Sequence, residues 1–242
     1  MRTLLSEQYA PITSSIGFLR LDPDKAVAAL MGWRTGLGLD PRKEERPEGF
    51  PACLHALEPL VGGGYPRELF VATNGPWTAY FDCGLSGTDP MPPMSFLARE
   101  VGCDGLAVTA TPHIRVAGAV RRYGSVQFEL YGPHQTHFIN FVRTIEVAND
   151  DGWHFHVSGE PQPFEDQMAY TRTRVRDRFT SQMLADYCSA LGIDVFNPAA
   201  YGPRAVLVRS LVKLPAEPLF MSLRDAQARL GIVPGESDDL PG

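Results

Sequence analysis

The chain has 242 residues, a mass of 26.6 kDa and a formal net charge of −6. Apolar residues make up 44% and charged residues 21%, a globular balance that excludes wholesale disorder, collagen-like repeats and coiled coil. No run approaches the roughly 18 apolar residues of a membrane span. Acids outnumber bases in both halves, 13 against 11 in residues 1–121 and 15 against 11 in 122–242, so neither is a basic module and nucleic acid is not the expected partner.

Residues 14–21 (Ser-Ser-Ile-Gly-Phe-Leu-Arg-Leu) predict a short strand. Asp22-Pro23-Asp24 then opens a helix, with Asp22 as N-cap and Pro23 at the first helical position. Val27, Leu30 and Met31 recur at helical spacing, and Gly36 or Gly38 stops the run. Residues 39–49, with Pro41, Pro47 and mixed charges, read as an exposed loop. A short helix is predicted over 51–61, broken by Gly62-Gly63-Gly64.

The period then changes to two. Residues 67–73 and 77–82 flank Asn74-Gly75-Pro76, a β-hairpin by its turn chemistry. A Pro/Gly-rich loop leads through Pro92-Pro93 to a helix over 94–101. Residues 105–111 and 113–120 are strand-like. The segments 124–131, 137–148 and 152–159 alternate clearly, and Asn149-Asp150-Asp151-Gly152 joins the last two as a hairpin. These runs predict an antiparallel meander.

The longest helix is predicted over 166–191, where Val175, Phe179, Met183 and Tyr187 are spaced by four and Leu184, Cys188 and Leu191 widen the stripe. Residues 204–213 form one more strand. Ser222-Leu-Arg-Asp225 is a capping box with Asp in place of Glu, opening a final helix to Leu230. No repeat or linker interrupts the chain. The reading is one α+β domain over residues 1–234, a largely antiparallel sheet packed by several helices, with an acidic tail at 235–242 that frays.

The four cysteines, Cys53, Cys83, Cys103 and Cys188, are scattered among apolar neighbours with no Cys-x-x-Cys pair, and are expected to be reduced, buried thiols. The first residues, Met1-Arg-Thr-Leu-Leu-Ser-Glu, carry too short an apolar stretch for a secretory signal. With 19 Arg against 3 Lys, a bias of GC-rich genomes, the expectation is a cytoplasmic bacterial protein. P-loop, Rossmann, His-Glu-x-x-His, Gly-x-Ser-x-Gly and Ser-x-x-Lys signatures are all absent.

Four constellations carry chemistry. His154-Phe-His156, with Glu160 four residues on, matches the His-x-His-x-x-x-Glu core of the cupin metal motif. Two imidazoles on one strand face with a carboxylate in phase would suit iron, manganese or zinc. Gly159 and Pro161 interrupt that phase, and no later histidine exists, so the plain alternative places Trp153, Phe155 and Val157 on the core and both histidines in water.

Arg143 interrupts the apolar face of Ile139, Phe141, Ile145 and Val147. A buried guanidinium needs a carboxylate, for which Asp82 is one guess, or a ligand anion. Arg172, Arg174, Arg176 and Arg178 would form two helical stripes, Arg172 with Arg176 and Arg174 with Arg178. They read as a salt-bridged surface, with an anion site as the alternative. On the hairpin 67–82, Trp77 shares a face with Ala79 and Phe81, and Tyr80 and Asp82 lie on the other. Trp77 is either a half-exposed anchor for a protein partner or a cap on the core.

No catalytic motif survives. The functional expectation is a protein that binds another protein, with a basic partner suited to its acidic charge, without catalysis of its own and without a cofactor. Acidic one-domain immunity and antitoxin proteins have this general profile. The alternative is a small-molecule metalloenzyme or sensor with a cupin-like site at His154 and His156.

Overall fold

The computed structural model describes residues 1–236. β1 (Ser15–Leu19) leads into α1 (Pro23–Gly36), which starts where the sequence marks it: the Asp22 carboxylate accepts the amide of Asp24 at 2.9 Å. β2 (Arg42–Arg46) and β3 (Leu60–Val61) follow, then the predicted hairpin of β4 (Arg67–Thr73) and β5 (Thr78–Asp82). α2 (Met91–Val101) ends on Gly102, whose φ of +70° accepts the left-handed closing conformation. β6 (Gly105–Thr111), the small hairpin β7 (Ile114–Val116) and β8 (Ala119–Arg122), β9 (Ser125–Tyr131), β10 (Phe141–Asn149) and β11 (Trp153–Gly159) form the central run. α3 (Ser181–Ala190), β12 (Tyr201–Arg209), β13 (Phe220–Met221) and α4 (Leu223–Leu230) complete the chain.

Nine strands make one sheet in the order β11-β10-β9-β6-β1-β5-β4-β12-β2, with every neighbour antiparallel. The chain is thus α+β with an antiparallel sheet. Side chains alternate across it. One face contributes Ile16, Phe18, Leu69, Val71, Phe81, Val108, Phe128, Ile145 and Val147 to a core closed by Phe179, Leu184 and Cys188. The other face contributes Leu19, Phe70, Tyr80, Tyr131 and Val206 to a smaller core under α1 and α2. Gly17 permits the close seat of α2: a Cβ there would stand 2.8 Å from Met94 Cγ.

α2 reaches β9 only near Tyr131, and the rest of the β9–β11 end of this face is left uncovered by the two helices. There Ser15, Thr109, Gln127, Glu146 and His156 lie side by side in register, and Ala107, Glu129, Thr144 and Ser158 form the next row. This polar half of the sheet opens outward beside the helices.

Several predicted elements differ. The continuous helix over 166–191 does not form. Isolated 3-10 turns at Ala169–Thr171 and Val175–Asp177 precede α3, which begins only at Ser181 because Thr180 caps it, accepting the Met183 amide at 3.3 Å. Arginine side chains take carbonyls along this stretch, Arg172 Nη1 that of Asp177 (2.7 Å) and Arg178 Nε that of Arg172 (2.8 Å). α1, at 14 residues, is the longest helix among the described residues.

Residues 39–49 contain β2 rather than only loop. Its Arg-Lys-Glu-Glu-Arg sequence makes a charged sheet edge, where Arg46 pairs with Glu44 and Glu48 and Arg209 with Glu44, a composition that discourages edge-to-edge association. The 51–61 helix is a 3-10 segment, Ala52–Leu57, followed by β3. Residues 113–120 split into the two arms of β7–β8. The start of the tail is tied down: Gly235 donates to the Ser6 carbonyl at 2.8 Å and Glu236 pairs with Arg121. The rest of the predicted frayed tail lies outside the described residues. No helix among the described residues is long and apolar enough to cross a membrane.

Candidate functional site

Asp82 is the last residue of β5 and faces the side of the sheet that α1 and α2 cover. Its carboxylate accepts the amides of Gly84 (2.8 Å) and Asp89 (2.9 Å), and the Asp82 amide donates to Thr88 Oγ1 (3.2 Å). One buried carboxylate therefore folds the whole loop Gly84-Leu-Ser-Gly-Thr-Asp89 around itself. Gly84 has to be glycine, because a Cβ would collide with the Gly87 carbonyl. Thr88 passes its own proton to the Ile12 carbonyl (2.8 Å), pinning the loop to the segment before β1.

That loop forms one wall of a cleft of about 560 Å³. The floor is the open half of the sheet, Ser15, Ala107, Thr109, Gln127 and Glu129, and Val61–Gly63 with Tyr65 line the cleft against that loop, Leu85 donating its amide to the Val61 carbonyl at 3.0 Å. Among the described residues, Asp89 and Glu129 are its charged ones, and no Lys, Arg, His or Cys lines it. Tyr65 donates its phenol proton to Asp89 Oδ2 (3.1 Å), and Tyr131 donates to Glu129 Oε2 (2.7 Å). Ser15 and Thr109 share a hydroxyl contact at 2.8 Å, and Gln127 donates to Glu146 (2.8 Å).

The site is electrostatically tense. Burial raises the Glu129 carboxyl above its ordinary value, the Tyr131 hydroxyl opposes that, and the carboxylates Glu146 and Asp89 add to it. Burial pushes Asp82 to about 7 against the two amides it accepts. Tyr65 is raised by burial and by Asp89. Such a cleft accepts hydrogen bonds and positive charge and repels anions.

The residues singled out in the sequence are dispersed. Trp77 is 2% exposed and donates Nε1–H to the Leu191 carbonyl (2.9 Å), so it caps the core and is no surface anchor. Tyr80 is fully buried, with its hydroxyl on Glu68 Oε1 (2.9 Å). Asp82 is equally buried and supports the cleft from beneath. Arg143 takes Glu165 as its carboxylate, and Asp82 is not its partner. Arg172 and Arg176 share no helical stripe, since no helix forms there: Arg172 lies 3.9 Å from Asp166, and Arg176 covers the Trp153 ring at 5.4 Å.

The cupin-like set does not assemble. His154 and His156 do share the outward face of β11, and His154 Nε2 is 3.9 Å from Glu146. Gly159, at φ +83°, ends the strand and takes Glu160 out of phase, its amide donating to Val142 O. Among the described residues, no three His, Cys, Asp or Glu side chains come together as a metal-binding group.

The chain matches no protein-family model, and comparisons with curated proteins and with solved structures returned no match. The site therefore rests on its own geometry. Asp89, Glu129 and Tyr65 were not singled out by the sequence: Gln127 and Glu129 alternate with Val126, Phe128 and Leu130 as any solvent-facing strand residues do, and Asp89 sits in a Pro/Gly-rich loop.

Proposed function

We propose that the protein acts by binding another protein, without catalysis of its own, and that the cleft receives a basic side chain of that partner. The lining carries this reading: two carboxylates, several hydroxyl and amide groups, and no basic residue among the described residues. A guanidinium or ammonium entering it would relieve the repulsion between Asp89 and Glu129 and gain charge-assisted hydrogen bonds. The net charge of −6 favours encounter with a basic surface. The open polar rows of β6, β9, β10 and β11 beside the cleft offer a rim of the composition that protein interfaces use. An immunity or antitoxin protein, which blocks a basic functional surface on its target, fits this reading, as does a bacterial cytoplasmic setting.

The test is native co-purification from the source cells, followed by reconstitution from the two purified components. A direct complex that weakens at least tenfold with Glu129→Gln plus Asp89→Asn, and weakens with salt, is the expected result. A partner whose affinity is unchanged by both substitutions, or turnover of a small molecule by the purified chain, overturns it.

A further inference from the structure

Three side chains in the cleft each have one polar end fastened and one left over. Asp89 is set by its amide, which donates to Asp82 Oδ2 at 2.9 Å, and its own Oδ2 accepts the Tyr65 phenol proton at 3.1 Å. Glu129 Oε2 accepts that of Tyr131 at 2.7 Å. Gln127 stands two residues before Glu129 on the same face of β9, and its amide nitrogen donates to Glu146 Oε1 at 2.8 Å. A carboxylate accepts and does not donate, so Glu146 fixes which end of the Gln127 amide faces it and leaves the carbonyl as the other end. Asp89 Oδ1, Glu129 Oε1 and Gln127 Oε1 take no donor among the described residues.

We propose that the cleft selects arginine over lysine in its protein partner, with Gln127 as the residue that sets the choice. The inference rests on the cleft receiving a basic side chain and specifies which one. The three open oxygens stand on separate supports. Asp89 ends the loop after β5, while Gln127 and Glu129 have Cα atoms about 7 Å apart along β9 by strand geometry. An ammonium carries its three protons on one nitrogen and needs acceptors that converge on a point. A guanidinium spreads five N–H donors around a plane and reaches acceptors on different sides. An ammonium drawn to the two carboxylates leaves the neutral Gln127 carbonyl unserved, whereas a guanidinium has N–H groups for all three. It is also the more weakly hydrated ion, which suits a floor whose Ser15, Thr109, Gln127 and Glu129 are half-buried.

The probes are the peptides acetyl-Gly-Arg-Gly-amide and acetyl-Gly-Lys-Gly-amide, titrated into the full-length protein at matched ionic strength and followed by amide chemical shifts. Saturable shifts centred on β9 and the loop after β5 are expected, with the arginine peptide bound roughly fivefold or more tightly than the lysine peptide. Glu129→Gln is expected to weaken both. Gln127→Ala is expected to bring the arginine-to-lysine ratio close to one through loss of arginine affinity, with lysine affinity held within about twofold. Gln127→Thr lacks the same carbonyl and suits a strand, so it is expected to act alike, which separates a lost contact from a disturbed fold. Equal binding of the two peptides by the wild type, or a ratio that survives both Gln127 substitutions, overturns the proposal and leaves the cleft reading in place. The absence of a saturable shift at the cleft with either peptide overturns the two together.

Discussion

Arg143 and Glu165 meet as two forks, with Nε 2.9 Å from Oε1 and Nη2 2.7 Å from Oε2, and their side chains are 5% and 0% exposed. Arg143 Nη1 also donates to the Gly159 carbonyl at 2.8 Å, and Glu165 accepts Tyr170 Oη (2.9 Å) and the Gln162 amide (2.7 Å). The pair thus stitches the end of β11 to the loop that crosses beneath the sheet, and its hydrogen-bonding capacity is spent inside the protein. Arg143→Ala leaves Glu165 buried without its countercharge and is expected to cost roughly 3–5 kcal/mol in urea unfolding. Arg143→Met combined with Glu165→Leu is expected to recover much of that loss, because it removes both charges together. A single variant as stable as the wild type would contradict the structural role and reopen Arg143 as an anion site.

Sequence alone does not single out the carboxylate that Arg143 takes. Asp82 and Glu165 are both acids that could follow a sheet residue inward, and nothing local separates them. The features that were legible are those whose cause is local: the Asp22 cap of α1, the Asn74-Gly75-Pro76 turn, the Ser222 cap of α4, and the alternation of β9 to β11. The helix over 166–191 failed because Phe179 keeps its place in the i, i+4 series while serving a different structure. It is buried in the core just ahead of the Thr180 cap, and the backbone before it is held by side chains of Arg172 and Arg178. Trp77 could not be placed from sequence, since its acceptor lies 114 residues away. The cleft was hidden for the same reason. Tyr65, Asp89 and Glu129 come from three separate segments, and only the sheet order brings them together.

Asp82 gives the fold a pH dependence of defined sign. Its folded pKa, about 7, lies above the ordinary carboxyl value of about 4. Between those values the unfolded chain releases its proton and the folded chain keeps it, so stability falls as pH rises through that window and levels off above 7. The slope from one such group is at most about 1.4 kcal/mol per pH unit. Glu129, also raised, acts in the same direction. Asp24, lowered by its hydrogen bond to Arg204, and Glu48, lowered by its own backbone amide and by Arg46, act at more acid pH. Asp82→Asn lowers stability overall, because it leaves one acceptor for the two amides of Gly84 and Asp89. It is expected to flatten the decline between pH 5 and 7 in chemical unfolding. A decline of unchanged slope would assign the titration elsewhere.

The four cysteines are free, and Cys53, Cys83 and Cys188 are buried while Cys103 is half-buried. Burial raises every thiol: Cys103 and Cys83 to about 11, Cys53 to about 12, and Cys188 further. At pH 8 the native protein is expected to react slowly with an aromatic disulfide reagent, Cys103 first. The denatured, unreduced protein is expected to yield four thiols at once. Recovery of only two, or of none, would reveal a disulfide.

His154 and His156 test whether β11 carries a metal. Two imidazoles on alternate residues of one edge strand supply half of a tetrahedral set, and a physiological site takes its remaining ligands from elsewhere in the fold. Here the nearest carboxylate to His154 is Glu146, at 3.9 Å from Nε2 and already holding the Gln127 amide, and Glu160 has turned away behind Gly159. Both histidines are exposed, with no buried partner to fix a ring or tautomer as metal ligands need. The double substitution His154→Ala, His156→Ala is therefore expected to change stability by no more than about 0.5 kcal/mol, a shift of roughly 1–2 °C for a chain of this size. EDTA is expected to leave the melting temperature of the wild type where it was, since a metal bound only to the native state would raise it by mass action. Elemental analysis of protein purified without a histidine tag completes the measurement. Stoichiometric iron, manganese or zinc that disappears in the double variant would bring back the metalloenzyme reading, and with it a role for the polar rows of β9, β10 and β11 as the floor of an active site.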